Sequence, residues 1–455
     1  MYVSLFQPDR GYRNDWLWLP RRRISNLLGV QHSLTFYGAN GKALHAFSEQ
    51  GDHIVVPREY IPPSKWESLL FPIEDRQETE FPELSGLAMR NKPRSQIQEN
   101  GIHALLNGGS GILSLACGMG KTFASLYAWK ELKVPGLVVV QTEDLEGQWK
   151  DAIVEHTNLK RQDIGTIRGP VMDWEYPITV ASIQTLARRL EDDEMAEEAR
   201  NHFGVAIYDE CHHLGAPYFN TTAAYCKGWR WGLSATPSRS DGLEMLYQYH
   251  LGPILYMHHE QDVIPDTWFL HSGVEITAEG FSKIRDRSGD VHVPKLTTWL
   301  SELRPRNSMI VAWIKQLVED KRTMLVLSQR VEHLNELQQS LKAAGITAGI
   351  IHGEIKPAER RRVLLEEKII LATQPLAREG LDRPDLDAVF LTFPVADEGL
   401  FEQIIGRAQR ALEGKRAPVI LIMEDEKVKV LHEMAKRLRF LLTKRGYPFE
   451  IARAT

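Results

Sequence analysis

The sequence predicts an α/β fold with two parallel-sheet domains, preceded by a small N-terminal domain of α+β or mostly β type. From about residue 95, short β-branched runs alternate with helical patterns, which is typical of parallel sheets buried on both faces. The alternation stops between about residues 262 and 306 and then resumes, which divides the region into two domains. The predicted strands are ILSLA, GLVVVQ, ITVAS and VAIYDE before the break, and MLVLSQ, AGIIHG, IILAT, AVFLTF and VILIME after it.

The remaining boundaries follow from changes in composition. The first 86 residues contain aromatic and proline-rich segments such as NDWLWLPRRR and no alternation of strands and helices, so they form a separate small domain. After Glu424 the apolar residues recur at helical spacing, which predicts a C-terminal helix packed on the second domain. The expected boundaries are 1–86, 87–262 for the first parallel-sheet domain, 263–305 for a linker and 306–455 for the second parallel-sheet domain.

Composition limits the class of protein. The chain has 455 residues, of which 43% are hydrophobic and 25% charged, enough for two or three domains. Three cysteines without disulfide spacing and an N-terminus without signal-peptide features predict a cytoplasmic protein. No apolar run approaches the roughly 20 residues that a membrane span requires. The net charge of −5 argues against a uniformly basic surface but leaves a localised basic groove open.

A glycine-containing loop joins the strand ILSLA to the predicted helix FASLYAWKEL. In this context backbone N–H groups can converge on a β-phosphate at the helix N-terminus, while Lys121 reaches the β- and γ-phosphates and Thr122 holds Mg²⁺. Leu115 stands where the strict phosphate-loop pattern has its first glycine, and an ordinary glycine turn is the alternative. The residues expected to contact the nucleotide are Cys117, Gly118, Met119, Gly120, Lys121 and Thr122.

Two adjacent carboxylates follow the strand GVAIY, at the end of a parallel strand where ligands bind in open α/β sheets. We expect Asp209 to bind Mg²⁺ through its hydration shell and Glu210 to orient and deprotonate the attacking water. An exposed acidic turn is the alternative. A zinc site is a further interpretation, although its spacing matches no common zinc module; it would use Cys211, His212, His213 and Cys226.

Eight segments between about residues 90 and 425 resemble, in order, the motifs of superfamily 2 helicases and translocases. The DECH variant, the extension of motif III and the following LGPILY resemble the DNA-repair and restriction-type branch of compact phage or prokaryotic helicases rather than the DEAD-box RNA helicases. In the first domain the segments are LACGMGKT, VVVQTEDLEGQW, ITVASIQTL, DECH and GLSATPSRSDG, which resemble motifs I, Ia, Ib, II and III. In the second domain they are LVLSQRVEHL, ATQPLAREGLDRP and QIIGRAQR, which resemble motifs IV, V and VI.

This resemblance implies two tandem RecA-like domains that use ATP and Mg²⁺ and act on DNA, whether single-stranded, duplex or branched, with RNA as a further partner. It assigns adenine recognition to Gln98 with Arg94 as a companion. Motif VI would supply the arginine fingers Arg407 and Arg410, with Gln403 linked to the phosphate or water network. Contacts from motif V to the nucleotide are assigned to Gly380 and Asp382, and the coupling of hydrolysis to domain movement to His212, Ser234 and Thr236.

The expected function is an ATP-dependent DNA helicase that translocates on DNA and unwinds or remodels it. Three alternatives stay open: a duplex translocase that does not separate strands, an RNA helicase, and an ATP-gated module that binds nucleic acid without useful movement.

The first 86 residues contain an aromatic and basic cluster outside the resemblance. Trp16 and Trp18 lie close to Arg21, Arg22 and Arg23, a mixture that could stack on bases and bind phosphates. In the alternative, both tryptophans belong to the core of the small domain and the arginines are solvated. We expect this domain to bind duplex or branched DNA.

Overall fold

The structure is a computed structural model, and it divides into two compact units, 1–259 and 260–455, which are described separately below. It describes residues 7–37, 43–76, 80–116, 118–189, 198, 201–211, 222–223, 226–235, 244–258, 263–286, 289–377, 383, 385–409 and 415–453.

The first unit contains two sheets and the helices around them. Its strands are β1 (Gly11–Arg13), β2 (Trp16–Pro20), β3 (Thr35–Tyr37), β4 (Ala43–His45), β5 (Ser48–Gln50), β6 (His53–Pro57), β7 (Ile73–Asp75), β8 (Gly111–Leu115), β9 (Gly136–Val140), β10 (Ile164–Arg168), β11 (Val171–Asp173), β12 (Ile178–Ser182), β13 (Val205–Tyr208), β14 (Trp229–Ser234) and β15 (Ile254–His258). Its helices are α1 (Leu27–Ser33), α2 (Gln96–Gly108), α3 (Lys121–Leu132), α4 (Glu143–His156), α5 (Ile183–Arg189) and α6 (Glu244–Leu251).

The larger sheet of this unit has the strand order β11-β10-β12-β9-β13-β14-β8-β15. All neighbouring strands are parallel except β10 and β11. The interior strands are buried along their whole length, as expected where helices cover both faces. The predicted α/β parallel sheet is therefore confirmed. Its order places β14 between β13 and β8, so the chain segments that follow these three strands share one edge.

The N-terminal region is mostly β, and its sheet has the strand order β5-β6-β2-β1-β7. Leu17, Leu19, Ile54 and Val56 form its core, which is completed by Leu246 of α6, about 190 residues further along the chain. The sheet therefore buries its apolar face against a helix of the α/β fold.

Two buried arginines join the N-terminal sheet to the larger sheet. Arg58 Nη1 donates to the carbonyl oxygens of Lys227 and Gly228, both at 2.9 Å, and its Nη2 donates to Ser110 Oγ at 2.9 Å. Arg230 Nη2 donates in the other direction, to the Asp15 carbonyl oxygen at 3.0 Å. The sequence predicts a separate small domain, whereas the structure has both sheets within one compact unit.

The second unit is built on one parallel sheet with the order β18-β19-β17-β20-β21-β16-β22. Its strands are β16 (Asp266–His271), β17 (Met324–Ser328), β18 (Gly349–Ile351), β19 (Ile369–Thr373), β20 (Ala388–Leu391), β21 (Val419–Glu424) and β22 (Phe449–Arg453). Its helices are α7 (Ala278–Ile284), α8 (Val293–Ser301), α9 (Arg304–Glu319), α10 (Val331–Ala343), α11 (Pro357–Glu366), α12 (Glu398–Ala408) and α13 (Lys429–Lys444).

The segment 263–305, expected to be a linker, is part of this second fold. Strand β16 lies between β21 and β22, and α7 and α8 follow it. The difference has a physical reason: the strands that flank β16 come from the last 40 residues of the chain, so no local alternation of strand and helix marks it. In the part of the chain that the structure describes, no helix is long and apolar enough to cross a membrane.

Candidate nucleotide-binding and catalytic site

The phosphate-loop candidate lies between β8 and α3. Gly118 and Gly120 have positive φ angles of 82° and 86°, a region that favours glycine. Lys121 begins α3, and its Nζ donates to the Leu115 carbonyl oxygen at 3.0 Å, so one of its three N–H bonds closes the loop. Thr122 follows in the first turn and is half-buried. This is the strand, loop and helix arrangement that an anion site at a helix N-terminus requires.

Gln98, the predicted adenine reader, packs directly against this loop from α2. Its side chain is buried, its Nε2 donates to the Met119 carbonyl oxygen at 3.3 Å, and its Oε1 accepts from the Arg94 backbone N–H at 2.9 Å. Arg94 Nη2 in turn donates to the Gly118 carbonyl oxygen at 3.0 Å. A Cβ on Gly120 would lie 2.1 Å from Gln98 Nε2, so glycine is needed there for close approach as well as for its φ angle.

Asp209 and Glu210 follow β13 at the same edge of the sheet. Asp209 Oδ2 accepts the indole N–H of Trp149 at 2.8 Å, and Asp209 Oδ1 accepts the backbone N–H of Glu210 at 3.1 Å. The Asp209 backbone N–H donates to Val139 in the neighbouring strand at 3.1 Å. The first carboxylate is therefore held at both oxygens and through its backbone.

The electrostatics of the carboxylate pair suit a cation. Burial and the adjacent charge of Glu210 raise the pKa of Asp209 to about 6, while the hydrogen bond from Trp149 and the charge of Lys121 oppose the shift. Glu210 has a φ angle of 45°, a left-handed conformation that is costly for a residue with a Cβ and that recurs at functional sites. The two carboxylates are held close together and repel each other, and a bound Mg²⁺ would relieve this repulsion.

Ser234, predicted to couple hydrolysis to movement, ends β14 and is buried between the strands that carry the two nucleotide motifs. It pairs with Ser114 of β8 in the sheet register, while Gly232 of β14 pairs with Tyr208 of β13. The further residues predicted for this unit that lie outside the described residues are Cys117, His212 and Thr236.

The motif VI candidates lie on α12 of the second unit. Gln403 and Arg407 are both buried, 7% and 8% exposed. Gln403 Oε1 makes no hydrogen bond with the described part of the chain, so this buried acceptor is available to a further group. The predicted residues of this unit that fall outside the described residues are Gly380, Asp382 and Arg410.

The aromatic and basic cluster lies on β2 and on the residues that directly follow it. Leu17 and Leu19, not the tryptophans, form the core; Trp16 and Trp18 lie half-buried on the opposite face, and Trp16 contacts His250 of α6 edge-on at 5.4 Å. Each arginine makes an ion pair with a carboxylate, which lowers the local positive charge. The pairs are Arg21 with Glu49 at 2.9 Å, Arg22 with Asp52 at 3.3 Å and Arg23 with Asp9 at 3.0 Å.

The zinc interpretation gains no support. Cys226 is buried and its Sγ donates to the Phe203 carbonyl oxygen at 3.3 Å; burial raises its pKa to about 11 and that of Cys211 further. Among the described residues no group of three or more His, Cys, Asp or Glu side chains could hold a metal ion, and His212 and His213 lie outside them.

Trp149 is a residue of this site that the sequence does not single out. The signal was present, because this tryptophan ends the segment VVVQTEDLEGQW that resembles motif Ia. Its pairing with Asp209 joins residues 60 positions apart and depends on α4 packing on the sheet. Arg58 and Arg230 lie in no sequence motif, so their buried contacts are visible only in the structure.

A glycine loop at a helix N-terminus, with paired carboxylates at the same edge of a parallel sheet, defines the class of P-loop nucleoside triphosphatases. Two family profiles match the chain: the type III restriction enzyme res subunit over residues 91–239, and the helicase conserved C-terminal domain over residues 308–412. The chain belongs to the superfamily 2 helicases, in the branch that includes type III restriction enzymes and XPB. It is an ATP-dependent helicase, an enzyme that hydrolyses nucleoside triphosphates.

Curated relatives are helicases from several sources. A protein of Acanthamoeba polyphaga mimivirus, named as an ATP-dependent RNA helicase, is 27% identical over 83% of this chain and 72% of its own length. The DNA 3'-5' helicase XPB of Kineococcus radiotolerans is 26% identical over 78% of this chain. A probable helicase of an Escherichia phage is 24% identical over 67% of this chain. The matches cover 64% of the XPB protein and 65% of the phage protein, less than two thirds of either.

Solved structures share the fold. Dbp5 of S. cerevisiae, bound to RNA and ADP BeF3, matches 80% of this chain and 91% of its own with a TM-score of 0.59 at 16% identity. The Hef helicase domain of Pyrococcus furiosus matches 76% of this chain and 98% of its own with a TM-score of 0.50 at 16% identity. The expected tandem RecA-like architecture is thereby confirmed.

Proposed function

We propose that this enzyme is an ATP-dependent DNA helicase that couples hydrolysis to translocation and to the unwinding or remodelling of duplex or branched DNA. The observation that carries the proposal is the site in the first unit: Lys121 at the N-terminus of α3, with Asp209 held by Trp149 at the same sheet edge.

Each residue of this site has a distinct role in the proposal. The loop from residue 117 to Thr122 and the N-terminus of α3 bind the phosphates, with Lys121 on the β- and γ-oxygens. Thr122 and Asp209 supply the hard oxygen ligands that suit Mg²⁺, directly and through water. When bound, Mg²⁺ neutralises charge between the β- and γ-phosphates. Glu210 accepts the proton of the attacking water, and its fixed backbone aims the carboxylate.

The second unit completes the proposed reaction. Arg407 and Arg410 stabilise the charge on the transferring γ-phosphoryl group, and Gln403, whose buried Oε1 has no partner in the described residues, meets the phosphate or its water. Gly380 and Asp382 of motif V contact the nucleotide. Hydrolysis is communicated through the coupling residues His212, Ser234 and Thr236.

DNA is the favoured substrate and RNA the second candidate. DNA is supported by the res-subunit family match and by relatives named as DNA 3'-5' helicases. RNA is supported by the name of the mimivirus relative.

The proposal is tested by measuring ATP turnover with single-stranded, duplex, forked and four-way DNA and with RNA. Strongest stimulation by forked or four-way DNA, together with displacement of a labelled strand, is the expected result. Displacement of a triplex-forming strand without separation of the duplex would instead identify a duplex translocase. Stimulation of ATP turnover by RNA alone would identify RNA, not DNA, as the substrate. Nucleic-acid binding without directional movement would identify an ATP-gated binding module.

A further inference from the structure

The outer face of α13, in the second unit, is basic and contains an exposed aromatic ring. The opposite face of the helix packs on the sheet through buried residues that include Leu431, Leu438 and Leu442. A helical period of about 3.6 residues places the exposed positions on one stripe. These exposed positions, which we call the α13 outer face, are Lys429, Glu433, Lys436, Arg437, Phe440, Thr443 and Lys444.

Phe440 lies at the centre of this face. Its side chain is 70% exposed, a costly position for a large apolar ring. The surface neighbours of a helical residue are three and four positions away, and for Phe440 these include Lys436, Arg437 and Lys444. Three of the four exposed helix positions next to the ring therefore carry a cationic side chain.

The charge of the α13 outer face is opposite to that of the chain. It carries four basic residues and one acidic residue, whereas the whole chain has a net charge of −5. Glu433 pairs with Lys436 at 2.8 Å, but Lys429, Arg437 and Lys444 make no salt bridge within the described residues. This face is accordingly a local site of positive potential on an acidic protein.

Two further arginines, one in α13 and one directly after it, pair with carboxylates of the second unit, unlike most cations of the α13 outer face. Arg439 pairs with the buried Glu424 and lies over the ring of Phe269 at 5.0 Å. Arg445 donates from Nε to Glu402 at 2.9 Å. These contacts fasten α13 to the sheet and to α12, so the cations of the outer face are not needed for that purpose.

We propose that the α13 outer face binds single-stranded nucleic acid, with Phe440 stacking on a base and Lys429, Arg437 and Lys444 contacting phosphates. Basic side chains around an exposed ring are the combination that sequence-tolerant single-strand binding uses. An acidic protein segment would explain the charge but would not need the ring. The proposal rests on nucleic-acid binding by this helicase and adds a contact surface outside its recognised motifs.

The test compares full-length variants by their affinity for a fluorescent single-stranded oligothymidylate across a salt series. Phe440→Ala should weaken binding about 5- to 100-fold, the effect of one lost stacking contact. The double variant Arg437→Ala with Lys444→Ala should reduce the salt slope by about 1.4, since each phosphate contact on a single strand contributes about 0.7. Both variants remove exposed side chains, and alanine favours the helix.

Phe281→Ala is the matched control, because Phe281 is also partly exposed on a helix of this unit and Arg285 lies over its ring at 5.5 Å. It should leave the affinity and the salt slope unchanged. If the Phe440→Ala variant binds the oligothymidylate as tightly as the wild-type protein, the stacking contact is overturned. It is also overturned if this variant loses as much affinity for blunt duplex DNA as for the single strand. A wild-type protein that binds no nucleic acid would instead refute the proposed function itself.

Discussion

Trp149 donates its indole N–H to Asp209 Oδ2 over 2.8 Å, so a helix that bears a motif expected to contact nucleic acid also holds a carboxylate of the proposed ATP site. This hydrogen bond favours the ionised carboxylate, whereas burial and Glu210 favour the protonated form, and the balance leaves the pKa of Asp209 at about 6. A carboxylate with a raised pKa in the folded protein is protonated below that value. ATP turnover should therefore rise as the pH increases through about 6, as Asp209 becomes able to bind Mg²⁺.

Replacing the indole should move this pH dependence. Trp149→Phe keeps the ring packed but removes the donor, so the pKa of Asp209 rises and the ascending limb of the pH profile shifts by about one unit to higher pH. Trp129→Phe is the control, because the indole of Trp129 is equally buried but donates to the Val134 carbonyl oxygen at 2.8 Å. The same shift in both variants would show that Trp149 acts only through stability.

The roles of Lys121 and Glu210 are separable. Lys121→Ala should lose both nucleotide affinity and turnover, because the ammonium that meets the phosphates is gone. Glu210→Gln should retain ATP binding and lose hydrolysis, since the amide cannot accept the proton of the attacking water. Binding of a fluorescent ATP analogue and phosphate release would be measured on the same preparations. Turnover by Glu210→Gln at the wild-type rate would remove Glu210 from the role of general base.

Variants of motif VI test whether ATP hydrolysis needs residues of both units. Arg407→Ala or Arg410→Ala should slow DNA-stimulated hydrolysis by roughly 10³-fold or more, the effect of losing an arginine finger. Arg362→Ala offers a control, because Arg362 lies on the surface of the same unit in ion pairs with Glu359 and Glu366. If both motif VI variants hydrolyse ATP as fast as the control, the arginine fingers do not come from motif VI.

Arg21, Arg22 and Arg23 each pair with a carboxylate but keep further guanidinium N–H donors, so we expect them to contact DNA phosphates as well. Replacing Arg21, Arg22 and Arg23 with Ala should weaken DNA affinity and flatten its salt dependence, while ATPase at saturating DNA survives. Removing the carboxylate of Glu49, the partner of Arg21, by Glu49→Gln should have the opposite effect on affinity. Unchanged affinity and salt slope in a folded triple variant would assign this surface a structural or protein-binding role.

Arg58 should contribute strongly to stability. Arg58→Met should destabilise the first unit by about 3 to 5 kcal/mol, because Glu59 and three oxygen acceptors lose a buried partner. Denaturant unfolding would measure the loss, and Arg76→Met is a control with a partly exposed ion pair to Glu74. Equal stability of the two variants would contradict the structural role of Arg58.

The predictable parts of the fold are those with local signals. The first sheet and its phosphate loop were predicted because strand, glycine loop and helix are adjacent in the sequence. Strand β16 was not predicted, because its partners β21 and β22 lie about 150 to 180 residues away and only the folded sheet brings them together.

The site shows the same division. The strands that precede the two nucleotide motifs are predicted from short apolar runs in the sequence. The motifs themselves then identify Lys121, Asp209 and Glu210. Trp149 lies within a recognisable motif, but its contact with Asp209 depends on how α4 packs on the sheet. The ion pairs of Arg21, Arg22 and Arg23 depend on register and turn geometry, which composition does not reveal.

The core of the N-terminal sheet closes only when α6 is present, and this has a consequence during protein synthesis. Strands β1 to β6 leave the ribosome before α6, and Leu246 follows β6 by about 190 residues. At usual elongation rates of roughly 5 to 20 residues per second, the apolar face of the early strands stays uncovered for roughly 10 to 40 seconds. The N-terminal sheet is thus made before the helix that completes its core, and in that interval its exposed Leu17 and Val56 are available to chaperones.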